Sequence, residues 1–85
     1  MAKPHKTLQL KLRSPYQNYF SGPALSVTGR NRLGHFDVLA DHAPFFTLLA
    51  AGEITVRTEH EELKFNVDSG ILKVKNNLVD IFLNV

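Results

Sequence analysis

The sequence predicts an all-β fold, a flattened barrel or β-sandwich of about eight to ten short strands in a single domain. Three observations predict it. Apolar residues recur with period two along most of the chain, as in strands with one buried face. Turn residues (Pro, Gly, Asn, Asp) break the alternation every few residues. The chain is 85 residues long, which allows one core and not two, with about 63% of the unfolded surface buried on folding.

Leu8, Leu10 and Leu12 alternate with Gln9, Lys11 and Arg13, giving a first half-buried strand that Ser14-Pro15 ends. Tyr16 to Phe20 is a second short strand, closed by Ser21-Gly22-Pro23. Leu25 and Val27 mark a third, stopped by Gly29, and Arg30-Asn31-Arg32 is a polar loop leading to Gly34. Phe36 to Leu39 is short and apolar, and Asp41 to Pro44 turns the chain. Phe45 to Ala51 suits a strand or an irregular buried segment better than a helix, because it is only seven residues long and ends at Gly52. Ile54 to Thr58 is a β-branched strand, followed by the acidic turn Glu59 to Glu62. Leu63, Phe65 and Val67 alternate up to an Asp68-Ser69-Gly70 turn. Ile71, Leu72 and Val74 form the next strand, with Lys73 and Lys75 outside. Asn76-Asn77 is a turn pair tolerant of positive φ. Val79, Ile81, Leu83 and Val85 alternate to the end. The expected core is Leu8, Leu10, Leu12, Phe20, Val27, Phe36, Val38, Leu48, Ile54, Val56, Phe65, Val67, Ile71, Val74, Val79 and Ile81. Residues 1–6 are expected to be flexible.

Composition excludes several functions. There is no cysteine, hence no disulfide framework, thiolate metal site, iron–sulfur cluster or cysteine nucleophile. No apolar run approaches the ~18–20 residues that span a bilayer. The basic start has neither a secretory nor a transit-peptide pattern, so a soluble, cytosolic chain is expected. Charge is uneven: residues 1–36 hold six bases and no acid, and residues 37–85 hold four bases and eight acids. Such asymmetry points to a basic contact face where the fold keeps the halves apart.

His35, Asp37, Asp41 and His42 offer four possible metal ligands within eight residues, but two of them fall in a turn, and a solvated loop is the default reading. None of Ser14, Ser21, Ser26 and Ser69 sits in a nucleophile elbow. Glu61 and Glu62 are adjacent rather than opposed across a cleft. Tyr16, Tyr19 and Phe20 near Lys11 and Arg13 are a conceivable base-stacking platform, but no aromatic–basic pattern recurs on a second strand. No catalytic constellation, cofactor site or metal site is therefore expected. A binding or structural role is favoured over catalysis. The competing classes are a free-standing β-sandwich interaction module, a basic nucleic-acid-binding β-barrel and a small jelly-roll metalloenzyme.

The run from Gly34 to Gly52, Gly-His-Phe-Asp-Val-Leu-Ala-Asp-His-Ala-Pro-Phe-Phe-Thr-Leu-Leu-Ala-Ala-Gly, resembles the N-terminal β-sandwich domain of the epsilon subunit of F-type ATP synthase, called delta in mitochondria. Phe20-Ser21-Gly22, Ser69-Gly70-Ile71-Leu72-x-Val74 and Asn77-x-Val79-x-Ile81 resemble further blocks of that family in the same order, so the resemblance runs from about Thr7 to Leu83. It implies a central-stalk rotor subunit that binds the gamma subunit and the polar loops of the c-ring. Ring rotation is thereby coupled to ATP synthesis, with no active site or cofactor in the domain and no nucleic acid as partner. It further implies a peripheral position on the cytoplasmic side of the bacterial inner membrane, with membrane contact only through the complex. His42, Thr47 and Ser14 resemble gamma-facing positions; the loop with Arg32, Gly34 and His35 resembles the ring-facing loop.

The departures are specific. The family usually has an acid where His35 stands, whereas this loop is basic, with Arg30 and Arg32. Either the facing ring loop is acidic or the contact has moved. Asp37 and Asp41 stand at turn glycines of the family, and Ala40 and Ala51 at prolines, so a changed loop backbone is expected. The family's C-terminal helical hairpin, which can inhibit rotation, has no counterpart in these 85 residues. A chain ending here is expected to couple without self-inhibition.

Overall fold

The computed structural model describes residues 6–84. Residues 1–5, with most of the expected flexible leader, and Val85 lie outside the described residues. Among the described residues nine strands form: β1 (Leu8–Arg13), β2 (Asn18–Ala24), β3 (Ser26–Asn31), β4 (Gly34–Leu39), β5 (Phe45–Leu49), β6 (Gly52–Arg57), β7 (Glu62–Val67), β8 (Gly70–Lys75) and β9 (Leu78–Leu83). They make a five-stranded sheet ordered β2-β1-β9-β8-β5 and a four-stranded sheet ordered β4-β3-β6-β7. All pairs are antiparallel except β1 with β9. The expected β-sandwich is the fold observed.

Alternation builds the core. Leu12, Ile81, Leu72 and Thr47 lie side by side across β1, β9, β8 and β5. Opposite them, Val27, Val38 and Val56 of the four-stranded sheet are fully buried. Phe20, Phe36, Phe45, Leu63 and Phe65 pack around this centre, partly buried.

Two expected core residues face the other way. Leu48 is 64% exposed and Leu49 is buried in its place; Ile71 is only half-buried, and Leu72 takes its place in the core. Both departures have one cause. Phe45-Phe46-Thr47-Leu48-Leu49 and Ile71-Leu72 carry apolar residues at both parities, so alternation does not choose a face. Pairing does: Leu49 lies opposite Gly70, and Thr47 opposite Leu72. Ala24 and Leu83, outside the expected set, are also buried.

The strand boundaries shift for local reasons. Pro23 does not close β2 but lies within it, because β2 is an edge strand and a missing N–H is tolerated there. Gly29 does not stop β3 but lies mid-strand under the Phe36 ring, where a Cβ would sit 3.0 Å from Phe36 Cζ. Arg30 and Asn31 belong to β3, so the expected polar loop shrinks to Arg32-Leu33. Leu25 lies in the crossover between sheets, its N–H donating to Arg57 O at 2.7 Å. The Asn76-Asn77 turn behaves as expected, with φ of 51° and 61° joining β8 to β9 in two residues. Phe45 to Leu49 is a true strand on the edge of the larger sheet.

Candidate functional site

The turns gather at two ends. One end holds Leu25, residues 40–44, residues 58–61 and Asn76-Asn77; the other holds Ser14 to Gln17, Arg32-Leu33, Ala50-Ala51 and Asp68-Ser69. A six-residue strand separates the ends by about 20 Å.

The residues expected to face the ring fall in one hairpin, β3 to β4. Arg32 is exposed at its tip, His35 is exposed on β4, and Arg30 stands opposite His35. Gly34 has φ 127°, a backbone state that strains any residue with a side chain.

The residues expected to face gamma do not cluster. His42 lies at the first end, where its Nδ1 donates to Ala43 O at 2.7 Å and its ring lies 5.5 Å from that of Phe45. Ser14 lies at the second end, buried, its hydroxyl accepting from Tyr16 N at 3.2 Å. Thr47 lies between them on β5, turned toward the other sheet, where its hydroxyl accepts from Asn31 Nδ2 at 3.1 Å. His42 and Ser14 therefore stand at diagonally opposite corners of the five-stranded sheet.

Between those corners lies a surface that the sequence reading missed. The outer face of the five-stranded sheet carries the cross-strand row Arg13, Phe82, Ile71, Leu48 and, beside it, Lys11, Asp80, Lys73, Phe46. Phe46, Leu48 and Leu78 are 60–64% exposed. Arg13 pairs with Asp80 at 3.3 Å and lies over the Phe82 ring at 4.9 Å. The outer face of the four-stranded sheet is polar instead: Thr28, Asp37, Thr55 and Lys64 form its middle row. The missed signal was the apolar doublets at both parities in β5 and β8.

The departing aspartates have distinct fates. Asp37 lies within β4 and accepts a hydrogen bond from Thr28 Oγ1. Asp41 adopts φ 63°, the left-handed state a turn glycine would supply. Its N–H donates to Asn77 Oδ1 at 2.6 Å, and its carboxylate takes Lys6 Nζ at 2.6 Å and Asn77 Nδ2 at 3.1 Å. Three hydrogen bonds from two residues, Asn77 and Lys6, thus hold the turn where the expectation was a changed backbone. Those hydrogen bonds, that from Lys6 first, hold the Asp41 carboxyl below its ordinary 3.8. The same contact raises Lys6 above 10.5. A depressed acid stabilises the fold above its unfolded pKa and loses that contribution as pH falls through the folded value. Asp41→Asn should therefore melt slightly below the wild type at pH 7, the gap closing as pH drops below about 4 and shrinking in high salt. Melting curves across pH check this; a constant gap refutes it.

The potential ligands do not converge. His35 and Asp37 lie on the outer face of β4, Asp41 and His42 beyond its end, and among the described residues no group of three or more His, Asp or Glu gathers. No flat stacking platform forms: Phe20 packs against the core, Tyr19 meets Phe65 edge-on at 6.3 Å, and Tyr16 is 96% exposed in the turn. Among the described residues no helix is long and apolar enough to cross a membrane.

Residues 7–85 match the sequence profile of the ATP synthase delta/epsilon chain, beta-sandwich domain. The chain belongs to this family. The ATP synthase epsilon chain of Citrifermentans bemidjiense is 32% identical over 76 residues, covering 89% of this chain and 55% of the relative. That of Stenotrophomonas maltophilia is 33% identical over 76 residues, covering 88% and 54%. This delta/epsilon domain thus spans about half the length of the curated relatives it matches. Its fold superposes on a chain of the Euglena gracilis mitochondrial ATP synthase, in a structure with OSCP, F1 and c-ring, at a TM-score of 0.86 and 24% identity, covering 98% of this chain and 53% of that one.

Proposed function

We propose that this chain is a non-catalytic central-stalk rotor subunit of a proton-translocating F-type ATP synthase, binding the gamma subunit and the c-ring and so coupling ring rotation to ATP synthesis. The family match over residues 7–85 carries the reading. The geometry supports it with two separate surfaces. The β3–β4 hairpin, with Arg32, Gly34 and His35, takes the ring at one end. The gamma surface is the outer face of the five-stranded sheet with its apolar row, bounded by His42 at one corner and by the turn that buries Ser14 at the other, while Thr47 points inward from β5 and does not reach it; exposed apolar patches of this kind mark protein contacts. The membrane is met only through the complex, on the cytoplasmic side of the bacterial inner membrane.

Torque transfer demands stiffness. Neighbouring strands of each sheet are hydrogen-bonded, and the two sheets are cross-braced by Asn31–Thr47 and by Ala50 N donating to Arg30 O at 2.9 Å. The test is reconstitution. Rotary complex stripped of its own epsilon-type subunit should regain ATP-driven proton pumping when this chain is added. Unchanged pumping, with no chain retained on the complex, defeats the reading.

A further inference from the structure

We propose that the β3–β4 hairpin tip is a preset anchor for an acidic protein loop, with Leu33 as the inserted side chain and Asn31 and Thr47 as positioning residues; this rests on the ring-docking reading above and specifies the ring's chemistry. Leu33 is 90% exposed at the tip of a two-residue turn. Its backbone is held in place. Its N–H donates to Asn31 Oδ1 at 2.9 Å, and Asn31 Nδ2 donates to Thr47 Oγ1 at 3.1 Å on the opposite sheet. The turn is thus fixed to β5 across the sandwich, which lowers the ordering entropy that docking must overcome.

Charge selects the partner. Arg32 shares the turn with Leu33, and Arg30 and His35 pair across the strands just below it; all three bases are exposed, and residues 24–36 contain no carboxylate. Asp37, next on the outward face of β4, already accepts from Thr28. At the same end Glu53 faces Lys64 at 3.9 Å, and Asp68 lies in the β7–β8 turn at the far edge. A surface meeting this tip must supply carboxylates around an apolar notch. An anionic bilayer fits less well. One leucine contributes only about 2 kcal/mol on burial, and lipid-binding basic clusters hold about four to eight Lys or Arg.

The probe is the detergent-solubilised c-ring of the same organism, with gamma-containing F1 as control. Leu33→Asp and Arg32→Glu should each weaken ring binding at least about tenfold and leave F1 binding unchanged. Arg32→Glu should also flatten its salt dependence. Thr47→Val should weaken ring binding, keep the salt slope, and speed amide exchange at Leu33. Wild-type ring binding that both tip variants retain overturns this proposal alone. Wild-type binding to F1 but not to the ring overturns the ring contact and this proposal. Binding to neither overturns the stalk reading as well. Equal capture of the wild type by phosphatidylglycerol vesicles, lost in the same variants, makes the ligand a lipid surface and overturns the acidic loop.

Discussion

Ile81→Ala is expected to remove about 2–5 kcal/mol of folding stability. Ile81 is fully buried on β9, with Leu12 on one side and Leu72 on the other. Both neighbours are held by hydrogen-bonded strands, so the cavity collapses poorly. A domain of this size has about 4–13 kcal/mol in total, and the loss is a large share of it. The midpoint in urea should fall at unchanged slope. Ile71→Ala is the internal control. Ile71 lies one strand away, on the outward face opposite Phe82 and Leu48. Its truncation should cost under about 1 kcal/mol while weakening gamma binding. Equal losses in the two variants contradict the assignment of faces.

Gly70→Ala carries the second large effect, and its sign is the test. Glycine-to-alanine changes usually stabilise by about 0.4–1 kcal/mol where the backbone accepts them. Here the added Cβ would lie 2.7 Å from Phe82 O, with Leu49 Cδ1 at 3.1 Å and Leu83 Cδ2 at 3.3 Å. The closest of these atoms is backbone, and Gly70 is paired on both sides, to Leu83 and to Leu49. Relief requires opening β8 from β9. A loss of about 1–3 kcal/mol or more is expected, lowering the melting temperature by at least about 4 °C. Unchanged or higher melting would show that β8 and β9 yield. The sequence suggests Gly70 as a turn residue; the structure makes it the point where the first residue of β8 passes under a neighbouring carbonyl.

The two docking surfaces differ in how far sequence exposes them. Arg30, Arg32 and His35 are legible because charge, a tight turn and Gly34 are local facts. The brace behind them is not. Asn31 and Thr47 are sixteen residues apart in different sheets, and no periodicity links them. Thr47 by resemblance faces gamma; its observed hydroxyl partner belongs to the ring hairpin. Ser14 likewise resembles a gamma-facing position and is buried in a turn. The uneven charge of the two chain halves survives folding in part, since the acidic Glu59 to Glu62 segment lies at the end away from Arg32.

By itself the sequence determined that the chain is a β-sandwich, where several of its turns fall, and the family it resembles. Alternation and turn chemistry are local, and each reports one strand at a time. Only the tertiary structure decided which parity of Phe45 to Leu49 and of Ile71-Leu72 faces the core. Where both parities are apolar, local pattern is silent, and the choice passes to register against Gly70 and Leu72. The parity left outside is the apolar face offered to a partner.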